Sequence, residues 1–180
     1  MASDSGIQVP FTLAVTEGRQ YKIGTVSLPP DAPVTQAEVD KILNSQSATP
    51  QAVRLRSVWA LVGHRYHSKG NIDCKITPQS AFNDATGTVS YTAMIDPGPV
   101  YHLGFVKFDN VSDQVRSLLM HDWTLMPGDA FDESYVSNFI VQARQKDPVL
   151  RPMLADVKES YDAKADPETH QVNLVIRLAP

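Results

Sequence analysis

Two histidines at helical spacing are the residues of this sequence that come nearest to a metal-binding pattern. His64 and His67 are three positions apart, so a helix would place both imidazole rings on one face. Asp73 or Cys74, just beyond that helix, would then supply a third zinc ligand. A zinc hydrolase carries a carboxylate base within such a motif, and here Arg65 stands there instead. We therefore expect a solvated pair near a helix C-terminus, where positive charge is mildly favoured.

The other chemically capable side chains fit packing roles better than reactive ones. Cys74 is the single cysteine, which excludes an internal disulfide and a cysteine-based zinc site. It alternates with Ile72 and Ile76, as a core residue of a strand does. Trp59 and Trp123 are likewise expected to pack rather than to bind a ligand. No Ser-His-Asp set, phosphate-binding glycine loop or paired-carboxylate motif is discernible.

The composition excludes several classes of protein. With 42% apolar and 20% charged residues, the chain has an ordinary globular composition. A net charge of -4 without a basic run argues against nucleic acid as the main partner, because phosphate binding needs clustered Lys and Arg. No apolar stretch approaches the roughly 18 residues that indicate a membrane span, so we expect a soluble fragment.

One stretch of the chain occurs twice. Val89–Phe108 contains two runs of alternating apolar residues joined by a Pro-Gly turn, which indicates two strands. Phe11–Leu28 has the same pattern, and 172–178 begins a third, truncated copy. A period of this length predicts tandem copies of one small module. The matching landmarks, each pair 80 positions apart, are Gly18 and Gly98, Tyr21 and Tyr101, and Gly24 and Gly104.

The repeat sets the expected domain limits. Each module begins after the Gly-Tyr turn and ends with the next alternating strand, which gives modules at 18–97 and 98–180. Residues 1–6 resemble an initiator methionine followed by residues added to the natural chain. Phe11–Val15 would be the trailing strand of a preceding module. Because Tyr21 and Tyr101 recur at the module limits, we expect them to pack between consecutive modules.

The first module is predicted to contain strand, helix, helix, strand and strand. A strand at 21–28 ends at Pro29-Pro30, and Thr35 with Glu38 forms a capping box for the first helix. The second helix should begin near Pro50 or Gln51, run to about Ser68 and stop at Lys69-Gly70. A strand at 72–76, a polar loop at 78–87 and a strand at 89–95 complete the module.

The second module repeats this order. A strand at 101–108 precedes a helix capped by Ser112, and a second helix from about Phe131 ends near Gln145 or Lys146. A strand carrying Leu154, Val157 and Tyr161, a polar turn at 162–169 and a strand at 172–178 follow. The fold class is therefore α+β, with a three-stranded mixed sheet covered by a helix pair in each module. The triplets expected on central strands, facing the helices, are Tyr91/Ala93/Ile95 and Leu174/Ile176/Leu178.

These motifs together resemble a known family, the POTRA (polypeptide-transport-associated) domain. The resemblance lies in an alternating strand that runs into Pro-Gly-Pro-x-Tyr or Glu-Gly-x-x-Tyr, followed by a Gly-Phe/Thr-Val strand, a helix pair and a hairpin. Pro127-Gly128-Asp129 is similar to the family's entry to its second helix, and Tyr66–Ile72 to its join into the hairpin. Asn71 departs from the usual aromatic residue there. The first module also has Ser47-Ala48-Thr49-Pro50 where the family has Pro-Gly-Asp.

The resemblance implies a non-catalytic function without a cofactor. POTRA arrays stand in the periplasm, attached to an outer-membrane β-barrel of the BamA-like or two-partner-secretion type. They receive unfolded outer-membrane or secreted polypeptides and bind accessory envelope proteins. On this basis a C-terminal barrel would anchor the parent protein. The alternative is a POTRA-like scaffold that docks partner proteins in an envelope or division complex without binding clients.

Open sheet edges offer a mechanism for such binding. Unpaired N–H and C=O groups at an edge can accept a strand from another chain, and main-chain bonding tolerates many client sequences. In the family the edge is the strand after the helices, which here is expected at 72–76 and 154–161. The alternative is that these edges are simply solvated. The expected partner-binding residues are Ile72, Asp73, Cys74, Lys75, Ile76, Leu154, Asp156, Val157, Lys158 and Tyr161.

Overall fold

The computed structural model describes residues 14, 18–45 and 50–179, and it contains two similar units. Helices and strands follow one another in nearly the same order in both. The first unit comprises β1 (Lys22–Ser27), α1 (Gln36–Leu43), α2 (Gln51–His67), β2 (Lys75–Asn83) and β3 (Thr88–Asp96). The second unit comprises β4 (His102–Asp109), α3 (Asp113–Asp122), α4 (Glu133–Lys146), α5 (Leu150–Met153), β5 (Lys158–Asp166) and β6 (Gln171–Ala179).

Each unit has a three-stranded mixed sheet of the same topology. The strand orders are β1-β3-β2 and β4-β6-β5. The last strand of each unit lies in the centre, parallel to the first strand and antiparallel to the strand before it. The predicted α+β fold with mixed three-stranded sheets is confirmed, and the second unit differs from the expected order by the short helix α5.

The helices pack on the central strands as the apolar alternation predicts. Ala93, Ile176 and Leu178 are buried, and Leu174 is fully buried. Tyr91 and Ile95 are partly buried against the first core. That core consists of Val26, Val34, Val39, Val58, Val62 and Tyr66. The second core consists of Tyr101, Leu103, Phe108, Val115, Leu119, Trp123, Phe131, Val136, Phe139, Ile140, Ala143, Leu150, Leu154, Val172, Leu174, Ile176 and Leu178.

Side-chain caps begin α1 and α3 where the sequence predicts them, and α4 begins with a cap that was not predicted. The Thr35 hydroxyl accepts the Glu38 N–H, and the Glu38 carboxylate accepts the Thr35 N–H at 2.8 Å, which completes the capping box. This backbone bond lowers the pKa of Glu38. Ser112 accepts the Val115 N–H at the start of α3. Asp132 accepts the N–H groups of Ser134 and Tyr135 at the start of α4.

The first hairpin is displaced along the chain relative to the prediction. Residues 72–76 were expected to form a strand and 78–87 a loop, whereas β2 begins at Lys75 and continues to Asn83. The apolar alternation ends earlier than the strand because all but one of the β2 residues are exposed. Pairing with β3 along its whole length, rather than burial, holds this edge strand in place.

The second hairpin is displaced in the same way. Leu154 was expected on a strand, but α5 places it in the second core, where it is 1% exposed. β5 begins only at Lys158 and extends to Asp166, through residues expected to form a polar turn. Apolar spacing alone did not distinguish a buried leucine of a short helical turn from one of a strand.

Apart from Ala14, the strand expected at Phe11–Val15 lies outside the described residues, as does most of the polar break before α2. Within 14, 18–45 and 50–179, no helix has the length and apolar character needed to cross a membrane.

Candidate functional site

β5 offers an open, regular strand edge. It ends the strand order of its sheet and pairs with β6 on one side, from Lys158 opposite Ala179 to Asp166 opposite Gln171. Along its other side no strand of the described chain occupies its N–H and C=O groups. The pairing with β6 has no bulge, and β5 contains no proline. Nine consecutive residues are therefore available for ladder formation with an extended segment.

The equivalent edge in the first unit is interrupted by a proline. β2 also lies at the edge of its sheet, with Pro78 opposite Ala93. Proline has no N–H to donate and is tolerated on an edge strand when its nitrogen faces away from the neighbouring strand. Since the β2–β3 pairing continues on both sides of Pro78, the open edge of β2 lacks a donor at this position.

The outer edges formed by β1 and β4 are irregular. The pairing of β1 shifts register between Ile23 and Val26, and that of β4 shifts between Leu103 and Phe105. The repeated glycines Gly24 and Gly104 lie at these bulges, which bend an edge away from regular pairing. The turn before α4 also covers the start of β4, where Leu103 donates its N–H to Asp129 at 2.8 Å. Of the four described edges, β5 alone is regular, uncovered and free of proline.

A groove accompanies the β5 edge. It encloses about 230 Å³ between α4 and the hairpin of β5 and β6. Tyr161, which is 41% exposed, forms one wall of the groove. The Arg144 guanidinium forms an ion pair with the Glu159 carboxylate, with a nitrogen–oxygen distance of 2.9 Å. The groove can take side chains of a segment that bonds along β5, because alternate residues of an added strand point to this face. The residues lining it are Val136, Ser137, Ile140, Glu159, Ser160, Tyr161 and Ile176.

The structure places the sequence-predicted binding residues in two different settings. Lys75, Ile76, Lys158 and Tyr161 lie on the edge strands. The others precede the strands, so they cannot contribute to an edge ladder. The greater part of each edge strand, 78–83 and 162–166, falls where the sequence predicts a loop, because these residues lack apolar alternation. The residues that precede the strands are Ile72, Asp73, Cys74, Leu154, Asp156 and Val157.

Three of these displaced residues have structural surroundings that explain them. Ile72 packs against the core of the second unit. Asp73 accepts a hydrogen bond from the Tyr101 hydroxyl at 2.7 Å. Cys74 packs against the first core, and its burial raises the pKa of its thiol, as the packing interpretation requires. Ile72 and Asp73 thus connect the two units.

The two histidines do not act as a pair. His67 Nδ1 lies 2.7 Å from the Glu133 carboxylate in the first turn of α4, so it contacts the second unit. Sequence spacing gave no signal for this partner, which is 66 positions away. His64 has no such contact in the described chain. No group of three or more His, Cys, Asp or Glu side chains in 18–45 or 50–179 is placed to hold a metal ion.

The repeated tyrosines lie at the ends of the sheets. Tyr101 is 3% exposed and donates to Asp73 of the first unit, so it packs between the units as predicted. The hydrogen bond to Asp73, together with burial, raises the pKa of Tyr101. Tyr21 instead bonds Asp84 and lies edge-on to Phe82, both in its own unit. That bond raises the pKa of Tyr21.

The two tryptophans pack, but to different extents. Trp123 is 6% exposed and contacts Phe108, Tyr135 and Phe139 edge-on, with ring centroids 4.8 to 5.8 Å away. Trp59 is only partly buried, edge-on to Tyr91 at 6.5 Å. Neither ring serves as an exposed binding platform.

Comparison with solved structures identifies the architecture. BamA POTRA domains 3–5 from Haemophilus influenzae align with 91% of this chain at a TM-score of 0.62 and 15% identity. BamA from Haemophilus ducreyi lacking POTRA domains 1–3 aligns with 88% at a TM-score of 0.54 and 17% identity. This chain spans 63% of the first structure and 28% of the second. No protein-family model and no curated protein matches the sequence.

Proposed function

We propose that this chain, which has the fold of tandem POTRA domains, is a non-catalytic polypeptide-binding segment of an envelope protein. Its modules would span 18–97 and 98–180. The parent protein would stand at the periplasmic face of the outer membrane and receive unfolded outer-membrane or secreted polypeptides. Accessory envelope proteins would be further partners. The observation that carries the proposal is the regular, uncovered edge of β5.

Binding would occur by strand addition to β5. An extended client segment bonds to the outward N–H and C=O groups of the strand, and its alternate side chains enter the groove beside α4. Main-chain bonds supply affinity that is largely independent of client sequence. The pocket adds a preference for apolar side chains, since Val136, Ile140 and Ile176 line it.

Pro78 identifies which β5 residues carry outward donors. Along an extended strand, successive side chains point to opposite faces of the sheet and successive N–H groups point to opposite edges. Because all residues are L, two strands that run in the same direction and place a side chain on the same face also point that residue's N–H to the same edge. Both sheets have the same strand order and directions, and Pro78 and Tyr161 are each opposite a central-strand residue on the helix side. Ala163 shares that face because it is opposite buried Leu174. Ala163 therefore points its N–H away from β6.

A reciprocal pair of substitutions tests the proposal. Ala163→Pro removes an outward donor from β5 and should weaken binding of an unfolded barrel-strand peptide at least tenfold. Pro78→Ala restores a donor on β2 and should add a second, comparable binding site. Isothermal titration of the whole chain measures both the affinity and the number of sites.

Folding and side-chain effects are controlled in the same experiment. Lys164→Ala changes a side chain on the face of the sheet away from the helices and removes no backbone donor. The affinity of this variant for the peptide should therefore equal that of the parent. Circular dichroism of each variant shows whether the sheet remains intact. Equal peptide affinity for a folded Ala163→Pro variant and the parent would overturn strand addition at β5. Failure of the parent to bind any unfolded peptide would favour the scaffold that docks folded partners.

A further inference from the structure

Contacts between the units surround the short connection from β3 to β4. The connection is Pro97-Gly98-Pro99-Val100-Tyr101, and in many proteins such a linker lets two domains pivot. Here the residues after α2 bind to both ends of it. We propose that Gly70–Asp73, together with His67, hold the second sheet in a fixed orientation relative to the first, and we call these five residues the orientation clamp. This role is independent of client binding at β5.

The first part of the clamp is a continuous main-chain hydrogen-bond path. Tyr101 donates its N–H to the Gly70 carbonyl at 2.9 Å, and the Tyr101 carbonyl accepts the Phe131 N–H at 2.8 Å. The loop after α2, the residue before β4 and the turn before α4 are thereby linked, the first bond joining the two units and the second lying within the second unit. Gly70 has φ +89°, and a Cβ there would lie 2.7 Å from the Tyr101 carbonyl oxygen. Glycine is therefore required for both the backbone conformation and the close approach.

The second part consists of side-chain hydrogen bonds to the connection itself. Asn71 is 8% exposed and donates Nδ2 to the Gly98 carbonyl at 3.3 Å. Asp96 accepts the Gly98 N–H at 3.1 Å, so two residues of the first unit hold this glycine of the connection. The Tyr101 hydroxyl donates to Asp73 at 2.7 Å. Buried amide and hydroxyl groups are costly to leave unpaired, so a pivot that breaks these bonds is disfavoured.

The third part is packing at two further points. Ile72 belongs to the chain of the first unit, yet it packs against the core of the second. The His67 ring contacts Glu133 on α4, an element that the main-chain path does not include. One contact would leave an axis of rotation, whereas contacts with Tyr101, with the second core and with α4 restrain rotation about more than one axis.

Distance measurement between two spin labels tests the clamp. Labels at Ala81→Cys and Lys164→Cys, both exposed edge-strand positions, report the separation of the units in a Cys74→Ala background. The parent should give one narrow distance distribution. Asn71→Ala combined with Tyr101→Phe removes the two side-chain donors and should at least double the width of that distribution.

A matched variant separates the clamp from general loosening. Tyr91→Phe with Asn138→Ala deletes the same chemical groups outside the junction, so its distribution should match that of the parent. If the double clamp variant fails to fold, Asp73→Ala should broaden the distribution and Asp73→Asn, which keeps an acceptor oxygen, should not. A broad parent distribution would overturn the proposal. Unchanged widths in every folded clamp variant would overturn it equally.

Discussion

The hydrogen bond between Tyr101 and Asp73 connects the two units, and neither residue type alone predicts it. Tyr101 is predicted to lie at the junction because it stands 80 positions after Tyr21. The partner carboxylate lies within a stretch that apolar alternation assigned to a strand. The presence of a carboxylate between Ile72 and Cys74 is explained by the second unit, because the Tyr101 hydroxyl donates a hydrogen bond to Asp73.

The titration of Tyr101 should report this bond. Its pKa is raised above the ordinary 10.0, mainly because its hydroxyl donates to Asp73. A group with a raised pKa contributes stability that is complete below the unfolded-state pKa and is lost as the pH rises through the folded value. We therefore expect junction stability to be constant near neutrality and to fall in alkali.

NMR of ¹³Cζ-labelled tyrosine measures the titration directly. Asp73→Ala should bring the pKa of Tyr101 down, because the hydroxyl loses its acceptor and the nearby negative charge is removed. An unchanged Tyr101 titration in that variant would show that the two residues do not interact in solution.

The tryptophans offer a second test at the residue scale. Trp123→Ala should lower the free energy of unfolding by about 3 to 5 kcal/mol, because it empties a closed aromatic cluster. Trp59→Ala should cost less, about 1 to 2 kcal/mol, because its ring is only partly buried. Urea unfolding followed by circular dichroism compares the two variants. A larger loss for Trp59 would mean that its packing is tighter than the structure shows.

At the scale of elements, the N-cap of α4 is a clear stabilising feature. Asp132 accepts the N–H groups of Ser134 and Tyr135 at 2.9 and 3.1 Å. Asp132→Ala should therefore lower the stability of the second unit by about 1 kcal/mol. Asp156→Ala removes a carboxylate from an exposed loop and is the matched control. Equal unfolding midpoints for the two variants, measured by the fluorescence of Trp123 in a Trp59→Phe background, would contradict a capping role.

The elements also show where sequence reasoning succeeds. Helices were predicted closely because caps and breakers such as Thr35, Ser112 and Gly70 are local signals. Central strands were predicted closely because one face of each packs against the helices, which imposes apolar alternation. Edge strands were misplaced because β2 and β5 are held by pairing, and pairing leaves little trace in their own residue types. The same reason explains why the part of the edge at Asp162–Asp166 is not predicted. The contact between His67 and Glu133 is not predicted because the two residues lie 66 positions apart.

For the whole molecule, the unequal cores predict unequal stability. The described part of the first core contains six buried residues and that of the second contains seventeen. Apolar burial dominates folding free energy, so the first unit should open more readily. In native-state hydrogen exchange, amides of β3 should be less protected than those of β6. The opposite order would contradict the inference from core size.

Pro78 also limits how copies of this chain can associate at high concentration. An edge that accepts a client strand accepts a second copy as well, and fibre growth requires two adhesive edges on each chain. The proline on β2 and the bulges of β1 and β4 leave β5 as the one regular edge in the described chain. Pairing of β5 with β5 about a twofold axis would close the assembly, so we expect any association through this edge to end at a dimer rather than to continue into a fibre.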